Sequence, residues 1–243
     1  MKKYNIIYGY KNVKNLLLTN YKKIYKIYTI KKYLSYNIFN LIKSKKINYK
    51  IKSKKFINNI FYKKTDNILA YINTIKYFKI KKVINNILKT KKLMTILIIN
   101  KLYDYNNFGN IIRTSVLFNV NTIIIPKNFF FINENMIYKS VGYFFKIPIC
   151  KVNNLLKCIK YLKKKKILIY SISNKFNNIY SNKCNFNKNL CIILGNEHFG
   201  INKLILNISD KIIKIPMNNN KSSLNVATSC GIILYEIFLQ KLK

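Results

Sequence analysis

The basic residues of this chain are unusual in type as well as in number. Of its 46 lysine and arginine residues, only Arg113 is an arginine, and it stands in the segment Asn107-Phe-Gly-Asn-Ile-Ile-Arg113-Thr. Arginine presents a planar fork of five donors, whereas lysine presents a point charge. A lone arginine therefore indicates a site that binds an oxyanion, with a charge on a helix face as the alternative.

The other rare residue types fall close to one another in the sequence. The chain contains only 6 glycines and 3 prolines. Three short segments, which also contain Arg113, hold many of these scarce residues: Gly109, Gly195, Glu197, His198, Gly200, Pro216 and Gly231. Each segment follows an apolar run of strand length. Because the carboxyl ends of strands in an open α/β sheet meet at the ligand crevice, the three segments are predicted to build one site.

The second half of the chain alternates apolar runs of strand length with helical patterns. Runs without polar alternation indicate strands that are covered on both faces. The predicted strands are 93–99, 122–125, 167–172, 190–194 and 211–215, and the predicted helices are 108–118, 155–162 and 224–242. The pattern is typical of an α/β domain with a mostly parallel sheet.

A smaller α/β module is predicted at the amino terminus. Strands are expected at 4–8, 26–30, 48–51 and 68–72, with a helix after Gly9 on which Val13, Leu16 and Leu17 recur at helical spacing. The expected organisation is a first domain over residues 1–75, a second over residues 92–243, and between them a segment at 76–91. The composition of that segment suits either an exposed linker or the polar face of a connecting helix.

Charge and cysteine usage indicate the kind of partner and compartment. A formal net charge of +40 predicts a polyanionic partner, and nucleic acid is the leading candidate. Alternatively, the high lysine content reflects an A-rich coding sequence, because lysine codons are rich in A. Five cysteines without a C-x-x-C pair favour buried, reduced thiols in the cytoplasm, and no metal site is expected. No apolar stretch is long enough to cross a membrane, and no leader is expected at the amino terminus.

The three segments resemble the motifs of the SpoU branch of the SPOUT RNA methyltransferases. After the first segment come Ile193-Leu-Gly195-Asn-Glu197-His-Phe-Gly200 and a third segment in which Ile215-Pro-Met precedes Ser223-Leu-Asn225-Val. The amino-terminal sequence Tyr8-Gly-Tyr-Lys-Asn-Val is similar to the ribosomal-protein-like substrate-binding domain of large-subunit rRNA 2'-O-methyltransferases in this family.

The resemblance implies a fold and an activity. It implies a trefoil knot in the carboxyl-terminal domain, bound S-adenosylmethionine, a homodimer whose interface adjoins the sites, and methylation of a ribose 2'-hydroxyl in RNA. The expected substrate is a guanosine of large-subunit rRNA. A tRNA methyltransferase is the alternative within the class, and a catalytically silent RNA-binding or ribosome-assembly factor is the alternative outside it.

The resemblance also implies roles for individual residues. The catalytic set is Asn107, Arg113, Glu197, Ser223 and Asn225, and the cofactor-binding set is Gly195, Ile215 and Leu224. Arg113 is either a base or an electrostatic stabiliser, and because a guanidinium keeps its proton in proteins, the second role is favoured. Asn107 is expected on the loop that enters the helix of Arg113, with a helix cap as the alternative. His198 is interpreted as a loop side chain.

Overall fold

The structure, a computed structural model, describes residues 5–60, 67–73, 75–129, 132–174, 179–196, 199–218 and 223–242. The chain divides into two compact units. The first comprises residues 1–76 together with 132–146, and the second comprises residues 77–131 and 147–243. A short segment from the middle of the chain therefore belongs to the amino-terminal unit.

Strands and helices alternate along most of the chain, with β8, β9 and β10 following one another. Residues up to 76 form β1 (Asn5–Tyr8), α1 (Tyr10–Thr19), β2 (Ile24–Thr29), α2 (Tyr36–Ser44), β3 (Tyr49–Ile51), α3 (Lys54–Ile60) and β4 (Ile68–Ile72). Later residues form α4 (Ile80–Lys89), β5 (Thr95–Ile99), α5 (Tyr105–Leu117), β6 (Thr122–Pro126), α6 (Glu134–Lys139), β7 (Ile149–Val152), α7 (Leu155–Lys164), β8 (Leu168–Ile172), β9 (Ile179–Tyr180), β10 (Leu190–Leu194), α8 (Lys203–Asn207), β11 (Lys211–Lys214) and α9 (Val226–Leu242).

The first unit is built on a four-stranded sheet in the order β1-β4-β2-β3. Its pairs are antiparallel except for β2 with β3. Gly9, at φ 98°, turns the chain from β1 into α1, where Val13, Leu16 and Leu17 are fully buried as their helical spacing predicts. Within this unit α6 packs on β1, and the rings of Tyr8 and Tyr138 stack with centroids 4.5 Å apart.

The second unit is built on a seven-stranded sheet in the order β7-β6-β5-β10-β8-β11-β9. Every pair of neighbouring strands in it is parallel. Strands β5, β6 and β10 are buried along their whole length, which explains why their sequences are uninterrupted apolar runs. The α/β class with a mostly parallel sheet is confirmed, while the trefoil knot stays a prediction.

The core of the second unit lies between the sheet and its helices. Side chains of the central strands pack against α7, α8 and α4. The segment expected between the domains contains α4, whose Val83 and Ile84 belong to this core. Four short elements were not anticipated. Helices α6 and α8, of 6 and 5 residues, are shorter than two helical turns, and β9 has only 2 residues, whereas β7 was missed although β1 and β11, which are equally long, were predicted.

Candidate active site

Asn107 lies inside a helix at the carboxyl edge of the parallel sheet. Helix α5 begins at Tyr105 because Asp104 caps it, its side chain accepting from the backbone N–H of Asn106 at 2.8 Å. Asn107 is therefore in the first turn and only 7% exposed. The expected loop position and the alternative of a helix cap are both wrong, since Asp104 provides the cap.

Asn225 joins the third segment to the first. Its Oδ1 accepts from the backbone N–H groups of Ala227 at 2.8 Å and Thr228 at 3.3 Å, so it caps α9. Its Nδ2 donates to Oδ1 of Asn107 at 3.1 Å. Because backbone N–H groups only donate, the cap fixes which end of the Asn225 amide faces Asn107. The contact in turn fixes the orientation of the Asn107 amide.

The second segment forms a tight loop after β10. Two backbone hydrogen bonds join Asn196 and Gly200: the N–H of Asn196 donates to the carbonyl oxygen of Gly200 at 2.9 Å, and the N–H of Gly200 donates to that of Asn196 at 3.0 Å. A Cβ at Gly195 would stand 2.6 Å from the carbonyl carbon of Gly200, so this close approach requires glycine. Glu197 and His198 lie within this loop in sequence but outside the described residues, so the role expected for Glu197 stays a prediction.

Two of the three residues matched to the cofactor directly follow strands, and the third precedes α9. Gly195 follows β10 directly, and Ile215, 8% exposed, follows β11. Leu224, 37% exposed, and Ser223, also exposed, come just before α9. Strands β10 and β11 both pair with β8 in parallel, so Gly195 and Ile215 lie at the same carboxyl edge of the sheet. Strand β5 is parallel to β10, so α5, which follows β5, begins at this edge too.

Arg113, a member of the expected catalytic set, does not contact Asn107 or Asn225. It is exposed on α5, and its side chain forms no hydrogen bond or ion pair with any described residue. On an ideal helix it lies about 9 Å along the axis from Asn107 and about 120° around it. The structure thus brings Asn107 and Asn225 together but does not bring Arg113 to them.

One positioning residue, Asp104, was missed in the sequence. It sets where α5 begins and thereby places Asn107 in the first turn. The signal was present, because an aspartate directly before a helical pattern is a preferred cap. It was overlooked because Asn107 is itself a good capping residue.

The five cysteines do not supply a nucleophile. All are free and buried, and burial raises the pKa of each thiol, that of Cys158 to about 12. A thiol needs a lowered pKa to react as a thiolate. Within the described parts of the chain, no group of three His, Cys, Asp or Glu residues is placed to hold a metal ion, and no helix is long and apolar enough to cross a membrane.

Comparison with known proteins shows the family of this chain. The SpoU rRNA Methylase family matches residues 94–235, and the domain family described as RNA 2'-O ribose methyltransferase substrate binding matches residues 6–78. An uncharacterized tRNA/rRNA methyltransferase of Mycoplasma genitalium is 35% identical over 205 residues, which cover 80% of this chain and 82% of that protein. The 23S rRNA (guanosine-2'-O-)-methyltransferase RlmB of Xanthomonas campestris is 30% identical over 149 residues, 60% of this chain and 59% of that protein.

Solved structures share the fold. The SpoU methyltransferase AviRb of Streptomyces viridochromogenes, crystallised with the cofactor AdoMet, superposes with a TM-score of 0.83 at 14% identity, covering 99% of this chain and 91% of that chain. An AdoMet-bound rRNA methyltransferase of Sinorhizobium meliloti superposes with a TM-score of 0.74 at 17% identity, covering 97% and 87%.

The matched motifs and the two matched domains define a class of enzyme, the RNA methyltransferases. This chain belongs to the SpoU rRNA methylase family. The expectation of an RNA 2'-O-methyltransferase whose methyl donor is S-adenosylmethionine is confirmed at the level of the family.

Proposed function

We propose that this protein methylates the 2'-hydroxyl of a guanosine in large-subunit rRNA. The observation that carries the proposal is the hydrogen bond between Asn225 and Asn107, which joins the third segment to the first at the carboxyl edge of the parallel sheet. This is the edge at which α/β folds hold their ligands. The two amides are held by a helix cap and a buried helical turn, so they are rigid groups for positioning a ribose.

The residues near this edge fit the methyl donor. Gly195 lets the backbone of its loop approach closely, and the apolar side chains of Ile215 and Leu224 suit the two faces of an adenine ring. We assign these three residues to S-adenosylmethionine. When bound, the donor supplies an activated methyl group on a sulfonium.

The remaining groups would act on the ribose. The attacking oxygen develops negative charge as its proton leaves, and a fixed cation stabilises that charge. Arg113 is the proposed cation, holding the neighbouring phosphate or the forming alkoxide. Glu197, Ser223 and the two amides are proposed to orient the nucleotide.

The choice of substrate rests on charge and on the first unit. A formal net charge of +40 suits a long polyanion. The match of residues 6–78 to a substrate-binding domain, and the name of the Xanthomonas relative, favour guanosine in large-subunit rRNA over tRNA. Buried thiols agree with a cytoplasmic location, where cysteines stay reduced.

The proposal is tested with S-adenosylmethionine carrying a labelled methyl group. Purified protein is incubated with unmodified transcripts of large-subunit rRNA and, separately, of tRNA, and 2'-O-methyl positions are mapped. Label at a single guanosine of the rRNA is the expected result. Label only in tRNA would select the alternative substrate, and RNA binding without transfer would select a silent binding protein.

We further propose that the enzyme is a homodimer in which Arg113 completes the partner's site. Leu117 lies one helical turn from Arg113 and is 51% exposed. On α9, which packs beside α5, three large side chains at helical spacing are also exposed: Tyr235 at 50%, Leu239 at 42% and Leu242 at 64%. Such an apolar strip across two helices is typical of an interface, and here it adjoins the lone arginine.

Mixing two inactive variants tests this arrangement. Arg113→Ala and Asn225→Ala are each purified, then unfolded and refolded together. If Arg113 acts across a two-fold interface, half of the dimers have one intact site, so about a quarter of the wild-type turnover returns. No recovery, although light scattering shows mixed dimers, would mean that Arg113 serves its own chain.

A further inference from the structure

A crevice of about 530 Å³ opens in the second unit beside the proposed active site. Residues that follow β5, β6 and β7 line it together with Asn202, Leu204 and Ile205 at the start of α8, so it lies at the carboxyl edge of the sheet above these three strands. Its volume falls in the range of about 300–1,000 Å³ that is usual for ligand pockets. Gly195 and Ile215, assigned to the methyl donor, do not line it.

The lining of the crevice combines an apolar floor with a polar rim. Leu102 and Phe129 are 3% and 6% exposed and form part of the floor, and the Phe129 ring lies 5.2 Å from that of Phe108 in α5. At the rim, Tyr103 and Tyr105 are 49% and 44% exposed. A flat ring of a ligand therefore has both a buried apolar surface and aromatic side chains to stack on.

The hydrogen-bonding groups of the rim are mostly amides. Asn100, Asn128 and Asn153 line the crevice, and an amide offers both a donor and an acceptor, as the edge of a nucleobase does. Lys101 also lines it, with its Nζ 4.9 Å from the centroid of the Tyr103 ring. None of the lining residues is acidic. Aromatic faces, amides and a lysine are the groups with which proteins hold unstacked RNA bases.

The crevice and the proposed site are joined by one helix. Tyr105 is the first residue of α5, and Asn107 follows two residues later in the same turn. Strand β6, at the middle of the crevice, is two strands from β10, which corresponds to about 10 Å along the sheet edge. A nucleotide next to one held at Asn107 and Asn225 would therefore reach the crevice.

We propose that this crevice binds a base of the RNA substrate adjacent to the methylated nucleotide, and this proposal rests on the proposed function. The base stacks on Tyr103 and meets the rim amides with its edge, while Lys101 contacts the phosphate backbone. The crevice thus selects RNA whose target nucleotide lies in a single-stranded or unpaired region, because a base inside a duplex cannot enter it.

Filter binding of a radiolabelled, unmodified large-subunit rRNA transcript at moderate salt tests the proposal. Tyr103→Leu keeps apolar bulk but removes the stacking face, and Tyr103→Phe keeps the face. Asn128→Ala removes one rim amide, and Asn187→Ala is the matched control, since Asn187 is exposed in the loop before β10 at the opposite edge of the sheet. Melting curves establish that each variant folds.

Combining Tyr103→Leu with Asn128→Ala is expected to weaken RNA binding about tenfold, because one stacked base is lost. Tyr103→Phe and Asn187→Ala are expected to bind as the wild type does. Full affinity in the double variant would overturn the proposal. Radiolabelled guanosine 5'-monophosphate bound as tightly as RNA would also overturn it, by making the crevice a mononucleotide site.

The same variants separate this proposal from the proposed function. If the wild type transfers methyl groups to rRNA and the double variant keeps its RNA affinity, the crevice proposal alone fails. If the wild type transfers no methyl group, yet RNA affinity depends on Tyr103 and Asn128, the proposed function fails and the crevice remains an RNA-binding site.

Discussion

Asn225 connects helix formation to the proposed chemistry. One end of its amide caps α9 and the other end holds Asn107, so a residue that starts a helix also orients a side chain 118 positions away in the sequence. The Oδ1 atom of Asn225 stabilises the helix, whereas its Nδ2 atom orients Asn107. A substitution that removes only one of these two groups therefore separates the effect on stability from the effect on activity.

Asn225→Ser is expected to keep stability but lose activity. Serine is as good a cap as asparagine but too short to reach Asn107. Asn225→Ala loses both functions and should be less stable by about 1 kcal/mol. Urea denaturation and single-turnover methyl transfer measure the two effects. Equal stability of the serine and alanine variants would show that the cap contributes nothing.

Arg113→Lys tests whether the planar guanidinium matters beyond its charge. Lysine retains the positive charge but not the fork of donors, so we expect turnover to fall about a hundredfold. RNA affinity should stay the same, because the substitution leaves the number of basic residues at 46. Full turnover in the lysine variant would refute the proposed role of Arg113.

At the scale of elements, close approaches decide which positions require glycine. The loop after β10 packs Gly195 onto the backbone of Gly200, whereas Gly231 in the middle of α9 faces Thr114 of α5 at an ordinary distance. The two glycines therefore have opposite consequences when a methyl group is added, although both belong to the segments singled out in the sequence.

Gly195→Ala is expected to destabilise the protein by about 1–3 kcal/mol, since its Cβ would meet the Gly200 carbonyl carbon at 2.6 Å. The matched control is Gly231→Ala, whose Cβ would stand 3.9 Å from the Thr114 methyl group. Alanine is the better helix former, so this variant should be more stable by about 0.5–1 kcal/mol. Thermal and urea unfolding compare the pair, and equal effects would contradict the assigned packing.

The end of α9 is attached to the start of β5 by a half-buried lysine. The Nζ of Lys241 donates to the carbonyl oxygen of Met94 at 2.7 Å and to Oγ1 of Thr95 at 2.9 Å. Burial lowers the pKa of this ammonium from 10.5 to about 8, because the charged form loses its hydration. The neutral amine still has two N–H groups for the same two bonds.

The contribution of Lys241 to the free energy of unfolding should therefore rise with pH between about 8 and 10.5. In this window the unfolded chain binds the Lys241 proton and the folded chain does not, so raising the pH favours folding. Urea denaturation at several pH values should show that the stability of the wild type relative to Lys241→Met, which shares every other lysine and all five thiols, increases across this window. Parallel curves for the two proteins would contradict the lowered pKa.

At the scale of the whole molecule, charge is the dominant property. The formal net charge is +40, and a single ion pair, Lys163 with Asp210 at 2.7 Å, occurs among the described residues. Lysine ammonium groups instead lie over aromatic rings at many places, for example Lys26 over Tyr28 and Lys214 over Tyr180, each at 4.4 Å. Such contacts do not reduce the net charge, so the free protein repels itself.

Added salt or RNA is expected to raise the melting temperature. Moderate ionic strength shortens the range of repulsion between surface lysines. Each kcal/mol of repulsion removed should raise the midpoint by about 2–4 °C for a chain of this size. Calorimetry across a series of chloride concentrations measures the shift, and an unchanged midpoint from low to moderate ionic strength would refute the expectation.

Local patterns in the sequence were sufficient for the longer elements and for the candidate segments. The apolar runs of β5, β6 and β10 predicted covered parallel strands, because burial on both faces removes polar alternation. The scarcity of arginine and glycine pointed to the three motif segments. Strand β9, of 2 residues, and helix α8, of 5, were not predictable, since neither is long enough to complete two periods of its own pattern.

Only the tertiary structure decided how these pieces meet. Three features depend on which strands become neighbours. They are the hydrogen bond between Asn225 and Asn107, the exposed position of Arg113, and the inclusion of residues 132–146 in the amino-terminal unit. The sequence by itself determined the chemistry available and the edge of the sheet where it gathers. The contacts themselves join residues far apart along the chain, and no local preference of the backbone encodes them.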